Sequence, residues 1–302
     1  MPDNAAILVP GPWEHRSVYA HGSRFHVAIQ GEGPLVLFLH GFPTYWWLWR
    51  KFLGPISAAG YTAAAMDLRG YGASDHPPRG YDPRTLAADV AGVIRALGYE
   101  SAIVVGHGVG GLVGWTAATL QESSISGLVS VSSAHPNALR TAMLSNAAQA
   151  KALSYVLSYQ RPWFAERSLV KDGAAAIEEL LREWAAPDVL SDEVVSQYRT
   201  AFLLGNTSHC AIEFHRWAMR SIPRPDGRRF AIDMQGGVNV PVLQIHGKRD
   251  TSILVDTAID SAQFVNGPWS PVTLDEGHLL PEQATDEVIA AIVQWLPETF
   301  SA

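Results

Sequence analysis

Groups that could carry acid–base chemistry stand at or just after the ends of segments that the sequence predicts as strands. His40, Asp67 and His107 do so in the first half of the chain, and Asp250 and His278 do so near its end. An imidazole can take up or release a proton near neutral pH, and a carboxylate can orient it. Because ligands bind at the carboxyl ends of parallel strands, we expect these groups at one edge of a sheet.

The elements that must position these groups alternate between strand and helix in the first half of the chain. A hairpin is predicted around His21-Gly22, and short apolar runs predict buried strands. The predicted strands are 35–40, 62–67, 102–106 and 125–132, and the predicted helices are 46–60, 86–97 and 110–120. This alternation predicts an α/β fold with a mostly parallel sheet covered by helices on both faces.

The alternation stops after Pro136 and resumes near residue 238. The intervening stretch has helical segments and a tract that resembles a linker, 222–229, but no good buried strand. The helical segments are 141–159, 174–184 and 192–204, and the later core elements are strands 242–245 and 271–274 and a helix over 281–296. We therefore predict a core formed by residues 1–136 and 238–302 and a helical cap formed by residues 137–237.

Composition restricts the classes of partner. The chain has 302 residues and a formal net charge of −7, which disfavours nucleic acid as a partner. A single cysteine, Cys210, excludes an internal disulfide and a multi-cysteine metal site. No run of apolar residues is long enough for a membrane span, and the N-terminus is a poor secretion signal. We expect a cytoplasmic protein that binds an apolar small molecule without metal or cofactor; nothing in the sequence specifies an oligomeric state.

Five motifs together resemble those of the α/β-hydrolase superfamily, most closely its epoxide-hydrolase branch. They are HGFPTYWWLWR at 40–50, DLRGYGASD at 67–75, VVGHGVGG at 104–111, and the late Asp250 and His278. The resemblance covers nearly the whole chain and implies an α/β-hydrolase fold with an inserted cap. In this family the nucleophile, acid and histidine follow one another along the chain, which here implies position 108, Asp250 and His278.

The sequence departs from the family at position 108. The family pattern has Ser, Asp or Cys there, between two small residues on a sharp turn, whereas this chain has Gly108. Glycine tolerates the turn but cannot form a covalent intermediate. The sequence does not distinguish a natural glycine from one introduced to trap a substrate.

The remaining catalytic groups of the family are present. The resemblance implies that Asp250 orients His278 as a general base and that the backbone N–H groups of Phe42 and Val109 form an oxyanion hole. Other hydroxyl and thiol groups are poorer candidates for a nucleophile: Ser74, Ser132, Ser133 and Cys210.

Substrate-binding residues are expected in the first loop and in the cap. Tyr155 matches one of two cap tyrosines that hydrogen-bond to the epoxide oxygen in the epoxide-hydrolase branch, and His215 stands at the other position. A histidine could still donate a hydrogen bond there. Trp46, Trp163 and Trp217 are predicted to contact a ligand, although packing in the core is an alternative for each. Further cap aromatics are Phe164, Trp184 and Phe214.

Two functions are consistent with these residues. In the first, His278 and Asp250 form a base that activates water or deprotonates an apolar substrate directly, without a covalent step. In the second, the protein is an inactive pseudo-hydrolase that binds a small molecule or acts as an interaction protein.

Overall fold

A single eight-stranded sheet organises the computed structural model, which describes residues 4–186 and 188–300. The strands are β1 (Glu14–Ala20), β2 (Ser23–Gln30), β3 (Leu35–Leu39), β4 (Thr62–Met66), β5 (Ala102–His107), β6 (Ile125–Val131), β7 (Val242–Gly247) and β8 (Trp269–Leu274). Their order across the sheet is β1-β2-β4-β3-β5-β6-β7-β8. The hairpin β1–β2 and the pair β2–β4 are antiparallel, and the other pairs are parallel. The predicted hairpin and mostly parallel sheet are confirmed.

The central strands are buried along their whole length because helices cover both faces of the sheet. Every residue of β3, β5 and β7 is buried. Continuous apolar runs such as Leu35–Leu39 are typical of strands in this position. The helices that follow core strands are α1 (Arg50–Ala58), α2 (Pro83–Ala96), α3 (Val109–Leu120), α10 (Val255–Ile259), α11 (Leu280–Gln283) and α12 (Thr285–Phe300).

Between β6 and β7 the described residues form helices and turns. These helices are α4 (Pro136–Ser145), α5 (Ala147–Ala152), α6 (Phe164–Trp184), α7 (Asp192–Phe202), α8 (Thr207–Arg220) and α9 (Pro225–Asp233). They occupy the segment predicted as a cap, 137–237, and the division into core and cap stays a prediction. Residues 1–3, Pro187 and 301–302, which the predicted domains include, lie outside the described residues.

Two local predictions in this segment were wrong. The tract 222–229 was predicted as a linker, yet α9 begins inside it at Pro225, whose fixed φ suits the first position of a helix. One helix was predicted over 141–159, but Asn146 caps a new helix by accepting hydrogen bonds from the N–H groups of Ala148 and Gln149. The chain then continues as a 3₁₀ turn at Ser154–Gln160.

Among the helices of the described chain, none is both long and apolar enough to cross a membrane.

The turn between β5 and α3 is the tightest connection in the core. Gly108 has φ 51° and ψ −116°, a conformation that L side chains rarely adopt. A Cβ atom on Gly110 would overlap the carbonyl oxygens of Leu39 and His40, and one on Gly106 would overlap the carbonyl of Gly110. The glycines therefore let the start of α3 lie directly against the end of β3.

The Asp67 carboxylate ties the loops after β3 and β4 to the hairpin. Its Oδ1 accepts from the Trp46 N–H at 2.9 Å, and its Oδ2 accepts from His26 Nδ1 at 2.8 Å and the Ala73 N–H at 3.0 Å. Burial alone would raise the pKa of Asp67, but His26 and the other donors hold it below its ordinary value. This carboxylate fixes the base of the loop that contains Phe42.

We expect Gly110→Ala to lower the free energy of unfolding by about 1–3 kcal/mol, because its methyl group meets backbone carbonyls that have no room to move. Gly236→Ala is the matched control, since a Cβ atom there meets nothing within 4 Å. Denaturant unfolding of both variants measures the difference. Equal stability of the two variants would contradict the close approach of α3 to β3.

Candidate active site

Asp250 and His278 form a buried pair at the carboxyl edge of the sheet. The loop after β7 carries Asp250, and the loop after β8 carries His278; they are 4% and 3% exposed. His278 Nδ1 lies 2.8 Å from Asp250 Oδ2. Since the carboxylate accepts, Nδ1 carries the proton, and the neutral ring has its lone pair on Nε2. The pair can therefore present a base at Nε2.

Backbone donors hold the Asp250 carboxylate in place. Its Oδ1 accepts from the N–H groups of Ser252 at 2.8 Å and Ile253 at 2.9 Å. Burial would raise the pKa of Asp250, but His278, His246 and these donors together hold it below its ordinary value. The carboxylate therefore stays ionised and can stabilise a proton on His278.

Aromatic side chains and backbone fix the plane of the His278 ring. The Trp184 ring meets it edge-on with centroids 4.7 Å apart, and the Trp184 carbonyl accepts from the His278 N–H at 3.2 Å. On another side, His107 Nε2 lies 2.9 Å from the His278 carbonyl. Burial, together with the neighbouring His278, lowers the pKa of His107 to about 3, so His107 is neutral at physiological pH.

The Nε2 atom of His278 faces the space above Gly108. A Cβ atom built on Gly108 would lie 3.5 Å from that nitrogen, in ordinary contact. A side chain at this position would therefore reach the base. With glycine there, the same space can hold a water molecule or a substrate atom.

Phe42 and Val109 line the same cavity as Gly108, and their backbone N–H groups are the predicted oxyanion donors. Val109 is the first residue of α3, where N–H groups have no partner within the helix. No described group accepts a hydrogen bond from either amide. The His40 ring holds the first loop, because its Nε2 accepts from the Leu68 N–H and its Nδ1 donates to the Gly41 carbonyl, each at 3.0 Å.

A cavity of about 210 Å³ opens in front of these groups. Its lining is mostly apolar and comes from both the core and the segment between β6 and β7. The predicted site residues on its wall are Phe42, Gly108, Val109, Tyr155, His215, Trp217 and His278. The structure therefore brings together seven of the ten predicted residues at one cavity and places Asp250 directly behind His278.

Two predicted ligand contacts do not reach the cavity and are corrected. Trp46 is fully buried in the core, where its Nε1 donates to the Ile7 carbonyl and its ring packs against Trp13. Trp163 is 75% exposed at the surface. The aromatic pattern of the sequence indicated large side chains without indicating which way they face.

Trp184, one of the cap aromatics named from the sequence, lines the cavity, and Tyr159, which the sequence did not single out, packs on the lining residue Phe42. Trp184 lines the cavity and touches the rings of His278, Phe42 and Tyr155. Tyr159 packs on Phe42 with ring centroids 5.8 Å apart. The only sequence signal was that aromatic residues are frequent in this segment.

His215 lines the cavity, and its contact with the Ala211 carbonyl makes Nε2 an acceptor, whereas the sequence left open that this histidine donates. Its Nδ1 lies 3.2 Å from the Ala211 carbonyl, so Nδ1 carries the proton and Nε2 has the lone pair. Burial lowers the pKa of His215 to about 4, so the ring stays neutral at physiological pH. The ring centroid of Tyr155 lies 6.5 Å from that of His215, and its hydroxyl group can still donate a hydrogen bond.

The other candidate nucleophiles have structural roles or lack activation. Ser133 Oγ donates to the Gly108 carbonyl at 2.8 Å, and Ser74 Oγ donates to the Asp67 carbonyl at 2.7 Å. Burial raises the pKa of the Cys210 thiol to about 11, so it carries little thiolate. Within residues 4–186 and 188–300, no group of three His, Cys, Asp or Glu residues is arranged to hold a metal.

Known proteins share this architecture. A family model described as the alpha/beta hydrolase fold matches residues 34–284. The chain is 33% identical to the AB hydrolase superfamily protein YfhM of Bacillus subtilis over 189 residues. This aligned region covers 61% of this chain and 66% of that protein. It is 28% identical to epoxide hydrolase 4 of Mus musculus over 287 residues, an aligned region that covers 92% of this chain and 77% of that protein.

Solved structures agree with these matches. The crystal structure of Bacillus megaterium epoxide hydrolase in complex with an inhibitor superposes with a TM-score of 0.84 at 25% identity, covering 93% of this chain and 99% of that one. In several sequence matches the chain spans only 40–66% of the relative's length. The predicted fold and the likeness to epoxide hydrolases are confirmed.

We expect His215 to stay neutral, with its proton on Nδ1, from pH 7 down to about pH 5. Long-range ¹H–¹⁵N correlation spectra of the histidine rings measure both properties, and His215→Phe identifies the signals. Because the folded ring titrates near 4 and an unfolded histidine near 6.5, the unfolded chain binds more protons between these values. As the pH falls from 6.5 to 4, the free energy of unfolding of the parent should therefore decrease by up to about 3 kcal/mol relative to that of His215→Phe. A ring that titrates near 6.5 or carries its proton on Nε2 would contradict the assignment.

Proposed function

The chain belongs to the alpha/beta hydrolase fold family, and from this premise we propose that it is an enzyme that hydrolyses an apolar small molecule without a covalent enzyme intermediate. His278 is the general base, Asp250 orients it, and the N–H groups of Phe42 and Val109 hold the developing oxyanion. Water occupies the space above Gly108.

The observation that carries this proposal is the position of His278 Nε2. This atom belongs to a buried, carboxylate-oriented imidazole and would lie 3.5 Å from a Cβ atom at position 108. A water molecule in place of a side chain there is within reach of the base. A general base of this kind contributes about 10²–10⁴-fold to a rate.

The proposed step conserves atoms and charge on the residues described. His278 Nε2 takes a proton from the water, and the water oxygen forms a bond to the carbonyl carbon of an ester substrate. The carbonyl electron pair moves to its oxygen, which accepts hydrogen bonds from Phe42 and Val109. When the tetrahedral species collapses, the bond to the leaving oxygen breaks, and the proton on His278 passes to that oxygen.

Epoxide opening by the usual route is not part of the proposal. Relatives named epoxide hydrolases support the likeness of fold, but opening an epoxide through an ester intermediate requires a carboxylate at position 108. His215 offers an acceptor where a second donor to the epoxide oxygen would be needed. A carbonyl substrate needs neither group.

A second candidate function is binding without turnover. The same cavity with glycine at position 108 supports a receptor or carrier of an apolar ligand. This alternative predicts a ligand-dependent rise in melting temperature with no product formed.

We expect His278→Gln to reduce kcat/KM on p-nitrophenyl esters by about 100-fold or more, because Nε2 no longer accepts the proton from water. Asp250→Asn should also reduce it, because the amide no longer stabilises the imidazolium. His21→Gln, at a histidine outside the cavity lining, is the control and should leave the rate unchanged. Steady-state kinetics on esters of graded chain length measure all four proteins. Unchanged hydrolysis in His278→Gln would overturn the proposal.

A further inference from the structure

The cavity wall contains a single permanent charge. Among the described residues that line it, Arg140 is the only Arg, Lys, Asp or Glu side chain. The two histidines on the wall, His215 and His278, offer lone pairs. A ligand in this cavity therefore meets one cation and no anion, although the chain as a whole carries a net charge of −7.

Among the described residues, Arg140 has no hydrogen-bond or ion-pair partner, unlike two arginines that are buried. Arg69 pairs with Asp89, and Arg216 pairs with Glu166, both at 2.6 Å. In residues 4–186 and 188–300, no carboxylate or carbonyl group accepts a hydrogen bond from Arg140. Its guanidinium is therefore available to a ligand.

The place of Arg140 on α4 puts it near the mouth of the cavity. Leu144 also lines the cavity and is 73% exposed, so the cavity opens to solvent beside it. Arg140 precedes Leu144 by four residues and shares its helix face. Asn137, one turn earlier, lines the wall as well, and its Nδ2 donates to the Ala231 carbonyl at 2.9 Å. His278 is only 3% exposed and lines the same cavity beside Gly108, so the reacting groups are buried, whereas Leu144 is exposed.

We propose that Arg140 binds a carboxylate on the substrate, so that the substrate class is an apolar compound with a carboxylate at the end remote from the reacting carbonyl. The apolar body lies along the aromatic wall, and the carboxylate stays near the mouth, where partial hydration keeps the desolvation penalty small. A guanidinium can bind a carboxylate through two parallel hydrogen bonds. The inference rests on the proposed function for the reacting end, but the binding it predicts requires no turnover.

Affinity for octanoate and for octan-1-ol tests this assignment, because the two probes share an alkyl chain and differ in charge. Isothermal titration should show octanoate binding about tenfold or more tightly than octan-1-ol, as expected for a hydrogen bond to a charged group. Arg140→Gln should remove this preference and leave the affinity for octan-1-ol unchanged. Arg140→Lys should keep a reduced preference, because the charge remains but the two-pronged geometry does not.

Arg167→Gln is the matched control, since it removes the same charge at an exposed position outside the cavity lining. It should bind both probes as the parent does. If the parent does not prefer the acid, or if Arg140→Gln keeps the preference, the proposal is overturned. Repeating the titration in His278→Gln separates this proposal from the proposed function: the preference should persist there even if no ester is hydrolysed by the parent.

Discussion

The site depends on how closely α3 approaches the end of β3 at the turn through Gly108. The start of α3 lies against the carbonyl groups of Leu39 and His40, with room only for hydrogen at Gly110. This approach places Val109 on the wall of the same cavity as Phe42. It also sets position 108 opposite His278. A small steric constraint in the backbone therefore sets the turn at position 108, which faces His278.

The protonation states of the imidazoles give the cavity its chemical character. In both His278 and His215, Nδ1 donates to an acceptor behind the ring, which leaves Nε2 as the ring nitrogen that can accept a proton or a hydrogen bond. For His278 this produces an oriented base beside an open position. For His215 the same arrangement leaves an acceptor at the position where the epoxide-hydrolase branch has a tyrosine hydroxyl donor. Together with Arg140, these groups are the basis of the proposed substrate, which is attacked by water and carries a carboxylate.

Part of the fold and of the site can be predicted from the sequence, and part required the structure. β3 can be recognised from the sequence because a strand that is buried on both faces is a continuous apolar run without alternating polar residues. The pairing of Asp250 and His278 is predicted from the resemblance to the α/β-hydrolase superfamily, since each residue alone, after a core strand, could equally be a loop residue. The directions of Trp46 and Trp163 cannot be predicted, because aromatic residues serve equally in a core, a pocket and a surface. The tautomer of His215 also required the structure, since it depends on the carbonyl of Ala211 that the helix places beside the ring.

The central claim is that a base and oxyanion donors surround an open position at Gly108. The most direct test is to mix the parent, Gly108→Ser and Gly108→Ala with p-nitrophenyl butyrate and to compare their intact masses. If the base and the oxyanion donors are in place around an open position, a hydroxyl introduced by Gly108→Ser is activated by His278. That variant should gain one butyryl group and release p-nitrophenol in a stoichiometric burst. The parent and Gly108→Ala should remain unmodified. A butyryl group on the parent, or a folded Gly108→Ser that neither gains a butyryl group nor releases p-nitrophenol faster than Gly108→Ala, would contradict the account.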